Sequence, residues 1–381
     1  RVEASVLDTV VAISARHVEL TGLRITGAAP TQLTKRYEVP SGGDWAIGRV
    51  GAVFVEDAEG IHLTDNVFDA VGGNAVVLSR HAAGCRVTGN RIAFPGDSGV
   101  ALIGVSEMAD GTRDTFPRDN VVARNWVHDI GTFGKQVACY FQAVAGRNTV
   151  ADNVCYNGPR AGLNFNDGFL GGNVVEGNLI ANMVRETSDH GPFNSWDRVP
   201  YMTRHTDGRL RTVPMRTSVR RNFIVNGYNG VWALDHDDGS SYYNDTSNVL
   251  VYGGCKNYRG DNKNCGPGNV ILFPGIGSRS SGSHACQTND SLGNKNNSYI
   301  GNKCVTQDGV FYSFNSDSLD PAQIPTTRNN RFYSPGAKFE YHGKGLAELQ
   351  ALGIDSGSSV AEMPSIQEMM AMAQAALGFS P

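Results

Sequence analysis

Apolar residues in this chain recur at alternate positions over short runs, as in Ile61-His62-Leu63 and around Val87. Period two over so few residues predicts half-buried strands rather than helices. The runs belong to a recurring phrase: a polar or small residue, Gly, Arg or Asp, then Asn, then apolar-x-apolar. Copies stand at Asn66, Asn90, Asn125, Asn153, Asn178 and Asn222, with a late one at Asn302. The steps through Asn222 are 24, 35, 28, 25 and 44 residues. Short steps fit one coil of a solenoid, and long ones a coil plus a protruding loop. An Asn between two strands tolerates the left-handed backbone of a sharp corner. Its amide can also bond the Asn of the coils above and below, forming a ladder. A propeller would need longer repeats of antiparallel strands, and leucine-rich repeats a Leu consensus that is absent. The expected fold is therefore all-β: a right-handed parallel β-helix solenoid with a short C-terminal helical segment.

The rhythm gives the expected organisation. Residues 1–335 form the β-helix, with long loops near 185–217 and 253–296. Residues 336–381 form a helical cap or tail. Leu346, Leu349 and the stretch from Ile366 to Leu377 have helical spacing, and Ser365-Ile366-Gln367-Glu368 carries a capping box. Such a segment can cover the open end of the solenoid and its strand edges. The chain opens in what reads as the middle of a coil, so further N-terminal coils are expected.

Composition sharpens this picture. Of 381 residues, 40% are hydrophobic and 18% charged, with 46 Gly and a formal net charge of -4. No basic patch suggests nucleic acid, and no run of 18 apolar residues suggests a membrane span. Seven Cys lack metal-binding spacing. Four of them crowd 255–304, which suits disulfides in an oxidising compartment, with Cys255–Cys265 and Cys286–Cys304 as the expected pairs. The odd count leaves a free thiol, with Cys85 the candidate. Sequons at Asn244, Asn289 and Asn296 fit a secreted glycoprotein.

Candidate chemistry lies where the rhythm breaks. The stretch 185–198 holds Glu186, Asp189, His190, Asn194, Trp196, Asp197 and Arg198. The next coil supplies Trp232, Asp235, His236, Asp237, Asp238 and Tyr243, and the preceding one Asn166 and Asp167. Adjacent coils stand about 4.8 Å apart. Carboxylates on neighbouring coils can therefore reach the roughly 5–10 Å separations that glycosidases use. Two carboxylates would share the acid and the base or nucleophile roles. Crowded acids would also raise at least one pKa. Trp196, Trp232 and Tyr243 would offer flat faces to sugar rings, and His190 and His236 would donate to hydroxyls. Plainer roles stand beside these. Asp237 or Asp238 can cap a turn, Glu186 can pair with Arg198 on the surface, and Trp232 can be core. The acids can instead hold Ca²⁺; no other cofactor is expected. His62, His81, His128 and His284 read as structural or solvent-facing.

Three phrases carry a resemblance: residues 37–45, Asp189-His190-Gly191-Pro192-Phe193-Asn194-Ser195-Trp196-Asp197-Arg198, and Asp235-His236-Asp237-Asp238-Gly239-Ser240. Together they resemble the β-helix proteins grouped around glycoside hydrolase family 141, from about residue 17 to the terminal helix. The resemblance implies a hydrolase acting on a carbohydrate polymer or oligosaccharide through two Asp. Asp197 and Asp238 match best, with Asp189, Asp235 and Asp237 as alternates. A polysaccharide lyase or uronate epimerase, using Arg185, Arg198, His190 or Tyr243, is a second expectation. A non-catalytic glycan-binding or structural protein is a third.

Overall fold

The computed structural model describes residues 4–32, 34, 47–105, 109–166, 170–198, 201–276, 285–290, 293–315 and 318–379. The phrase at 37–45, together with Asp167 and His284, lies outside them. The chain winds into a parallel β-helix of three long sheets. The first sheet runs over eleven strands from Val11–Ile13 to Tyr312–Phe314. The second runs over eleven, from Glu19–Thr21 to Thr326–Arg328. The third runs over twelve, from Arg24–Thr26 to Ser359–Glu362. Eleven coils contribute one strand to each sheet, and Ser359–Glu362 adds a twelfth to the third.

Alternation fills the interior. On the third sheet Val127, Cys155, Ile180, Ile224, Leu250, Ile271, Cys304 and Phe332 stack in one buried column. Burial of each such aliphatic side chain contributes about 1.5–3 kcal/mol.

The Asn ladder forms and is longer than the sequence reading found. Each amide oxygen accepts from the backbone N–H of the previous ladder Asn, from Asn66 through Asn90, Asn125, Asn153, Asn178 and Asn222. The same pattern continues to Asn248 and Asn269. The left-handed residue at each corner is not the Asn but the residue before it: Asp65, Gly89, Arg124, Asp152, Gly177 and Arg221 have φ of 54, 71, 55, 55, 68 and 52°. That residue turns the chain, which frees the Asn side chain to point inward along the axis.

The two long loops are smaller than expected. Phe193–Trp196 is a strand of the first sheet, and in the insertion that follows Tyr201–Arg204 and Leu210–Arg211 pair and join Ala109–Gly111 from an earlier coil in a small sheet. Within 253–296, Gly254–Tyr258, Asn264–Cys265, Val270–Leu272 and Gln287–Asp290 are regular strands. Cys255–Cys265 is bonded, and so is Cys139–Cys155, which joins two sheets across one coil. Cys286 and Cys304 are not joined: like Cys85 they are buried thiols.

At the C-terminal end α1 (Leu346–Ala351) buries Leu349 against the core, beside Tyr312, Phe332, Tyr341 and Ile354. Asp355 pins this closure by accepting from the Tyr312 hydroxyl at 2.6 Å and the Ser358 hydroxyl at 2.7 Å. Helix α2 (Ile366–Leu377) starts with the Ser365/Glu368 capping box. It lies along the outer face of the third sheet rather than over the open end, with Met369 packed on Val305 and Tyr333. No helix among the described residues is long and apolar enough to cross a membrane.

Candidate functional site

Three successive strands of the first sheet build a cleft on its outer face. Register pairs Asn194 with Asp235 and Asp235 with Lys256. Alternation along Trp232–His236 turns Asp235 outward and His236 inward, and Asp237 follows on the outer side. Two glycines allow the close stacking. At Gly191 a Cβ would meet the Trp232 carbonyl, and Gly239 has φ of 83° against the Asp197 carbonyl. The tight turn after the strand is closed by the Ser240 N–H donating to the Asp237 carbonyl at 3.0 Å. Neither the Asp237 nor the Asp238 carboxylate bonds within that turn; both instead meet cations on neighbouring strands.

The cleft encloses about 630 Å³ and is lined by Asp189, Arg198, Trp232, Asp237, Asp238, Lys256 and Tyr258, with Thr288, Ser313 and Asn315 beyond. The Lys256 ammonium lies 2.9 Å from both Asp235 Oδ1 and Asp237 Oδ1. Two oxygens so held cannot be further apart than twice that distance. The ammonium also sits 4.1 Å above the Trp232 ring centroid and 5.0 Å from that of Tyr258. Asp238 is held between Arg198 Nε at 2.9 Å and Arg259 Nη1 at 3.3 Å. Asp235 lies under the floor, fully buried, and accepts from the Asn194 amide at 3.0 Å. Burial pushes its carboxyl up to about 6, with the Lys256 charge pulling the other way and the Asp237 charge adding to the rise. Burial draws the Lys256 ammonium down, but the charges of Asp235 and Asp237 outweigh this and raise it.

The expected residues separate into three groups. Asp189, Arg198, Trp232, Asp237 and Asp238 meet at the cleft. A second group is near but shielded. Trp196 is buried against Phe141 and Ala143, with the Arg198 guanidinium 4.1 Å over its ring, so it offers no face to a sugar. Asp197 does not line the cleft; its N–H donates to the Asp238 carbonyl at 3.0 Å. Asn166 and Asn194 are buried on the outer face of the first sheet. His190 meets the Arg160 guanidinium at 2.7 Å. Glu186 pairs with Lys135 at 3.1 Å on the surface, not with Arg198.

The third group points into the coil. His236 Nδ1 meets Ser195 Oγ at 2.7 Å, and its Nε2 meets Asp245 Oδ2 at 2.8 Å. Tyr243 packs beside this histidine, 4.4 Å between ring centroids, and belongs to the core. Ser, His and Asp in hydrogen-bonded sequence have the composition of a nucleophilic triad. All three are sealed inside the solenoid, so no substrate reaches them; they are a polar strut. Of the histidines expected to be structural, His128 is buried and stacked on Tyr156. Among the described residues no three His, Cys, Asp or Glu side chains group to hold a metal.

Lys256, Tyr258 and Arg259 were missed by sequence reading. A signal existed: Asn248-Val249-Leu250-Val251, led by Ser247, and Asn269-Val270-Ile271-Leu272, led by Gly268, are further ladder phrases. Counting coils through them puts Lys256 beside Asp235.

The fold defines the chain as a parallel β-helix protein. No family model matches it, and no curated protein sequence does. Among solved structures it is similar to a "Glycoside hydrolase" at 9% identity and a TM-score of 0.48, over 97% of this chain and 53% of that one. It is also similar to "The complex structure of XylC with xylose" at 10% identity and a TM-score of 0.42, over 89% of this chain and 52% of that one. The chain spans about half the length of each.

Proposed function

We propose that this chain is a carbohydrate-active enzyme, a glycoside hydrolase that takes a glycan polymer or oligosaccharide into the cleft of the first sheet. One observation carries the reading: Asp237 and Asp189 open onto the same cleft, with the rings of Trp232 and Tyr258 beside them. Asp237, ion-paired to Lys256, is suited to the anionic role of nucleophile or base. Asp189, exposed at the mouth of the same cleft, is the second carboxyl that the reaction calls for. Asp238, gripped by two arginines, is suited to hold the turn and to accept from sugar hydroxyls. The two disulfides support a working place in an oxidising, extracellular setting.

The test is release of reducing ends from plant and algal matrix glycans by the wild type, Asp237→Asn and Asp189→Asn, with circular dichroism to check folding. Each variant should lose roughly 10²–10⁴-fold in rate. A folded Asp237→Asn protein with full turnover would remove that residue from the mechanism.

A second reading has its own support. Lys256 and Arg198 on the cleft wall, with Arg259 against Tyr258, are the kind of cations that uronate chemistry requires, and Tyr258 on the same wall is a candidate base. A lyase would generate ultraviolet absorbance from an unsaturated product. Glycan binding without turnover would instead favour a non-catalytic binder.

A further inference from the structure

Lys256 is buried to 5% exposure, and its ammonium contacts two carboxylates. Its position follows from register: it pairs directly with Asp235 on the preceding coil, and its ammonium reaches across to Asp237. The Trp232 ring covers one side of the ammonium at 4.1 Å. A cation so shielded from water acts on its neighbours far more strongly than a surface lysine would.

Two carboxylates two residues apart on one strand repel, and the single ammonium between them offsets that repulsion. Asp237 also faces Asp189, Arg198, Asp238 and Arg259 around the cleft, with Lys263 within electrostatic reach beneath it. Of these cations, Arg198 and Arg259 are already engaged by Asp238. Lys263 donates to the carbonyls of Tyr258 and Arg259. Lys256 is the cation in contact with Asp237.

We propose that Lys256 is a positioning residue: by bridging Asp235 and Asp237 its charge holds the Asp237 carboxylate at the cleft wall. Asp235 is the buried counter-anchor that locates the ammonium. The assignment rests on the hydrolase reading for its meaning, but the ionisation of Asp237 is measurable without any substrate.

The experiment follows the pH dependence of carbodiimide labelling at Asp237 by peptide mass spectrometry, on the intact protein. In Lys256→Met the midpoint should rise by about 1–3 pH units, the shift usual for a carboxylate that loses an adjacent cation. Lys256→Arg should restore it. A midpoint in Lys256→Met equal to that of the wild type overturns the proposal. Should Lys256→Met not fold, Lys256→Gln decides the matter. It keeps the length and a polar head without the charge, so the midpoint must rise as in Lys256→Met. No change overturns the proposal. Where the wild type turns over a glycan, the acid limb of its pH–rate profile must move with the labelling midpoint. Absence of turnover on every glycan would defeat the hydrolase reading while the labelling still judges Lys256.

Discussion

Asn178→Ala tests whether the ladder stabilises the solenoid or merely follows it. The Asn178 amide is buried and makes five bonds. Its oxygen accepts from the Asn153 N–H at 3.0 Å and from the Asn153 amide at 2.9 Å. Its nitrogen donates to Val150 O at 2.9 Å, Glu176 O at 3.1 Å and Asn222 Oδ1 at 2.9 Å. A typical bond contributes about 0.5–1.5 kcal/mol net, and a buried donor left alone costs about 1–3 kcal/mol. Asn153 keeps a partner for its amide at Val122 O, but its backbone N–H loses its acceptor. The expected loss is therefore roughly 3–5 kcal/mol. Urea unfolding of the variant would give the total, and hydrogen exchange at the Asn153 amide would locate it. Asn182→Ala is the control. Its amide donates to Asn157 Oδ1 at 2.7 Å on the exposed surface, and its backbone is left-handed, so the lost bond and the strain of Ala there should together cost no more than about 2 kcal/mol. If Asn178→Ala costs as little as Asn182→Ala, or leaves Asn153 exchange unchanged, the ladder is a consequence of coil stacking and not a cause of stability.

Two further outcomes are expected. Burial pushes the Asp97 carboxyl up to about 6, while bonds from the Thr31 hydroxyl and the Gly134 N–H pull it back. The folded chain thus holds this proton more tightly than the unfolded chain does. The contribution is intact below about pH 4 and is lost as pH rises through about 6, by at most about 3 kcal/mol. Asp97→Asn should flatten the fall in stability between pH 4 and pH 7 by that amount, and an unchanged slope in urea unfolding at the two pH values would contradict this. For the cysteines, alkylation without reductant should find no reactive thiol in the native protein and three in denaturant, at Cys85, Cys286 and Cys304. A single thiol in denaturant would mean that Cys286 and Cys304 are joined after all.

The scaffold was readable because its determinants are local and repeated. A strand that alternates beside a corner and an Asn needs no distant information. The cleft was only partly readable, for three physical reasons. First, alternation decides which side of the wall each residue takes, and one residue separates Asp235 and Asp237 outside from His236 inside. The sequence lists these residues side by side as equals. Second, aromatic residues serve core and surface alike: Trp196 and Tyr243 are packed away, while Trp232 is nearly buried and still borders the cleft. Third, partners come from the next coil. Asp238 meets Arg259, and Glu186 meets Lys135. Such pairings depend on the loop lengths between ladder positions, which the repeat does not set.

Helix α2 has a consequence beyond its own packing. In a stack of coils each layer ordinarily touches only the layers before and after it, so the end can fray one turn at a time. Met369 grips Val305 and Tyr333, while Leu377 and Phe379 border a hollow shared with Leu179 and Phe223 several coils earlier. A single rigid rod is thereby laid across layers that never meet one another. It acts as a splint: it ties the last coils, whose strands carry the Thr288, Ser313 and Asn315 end of the cleft, to layers several turns earlier.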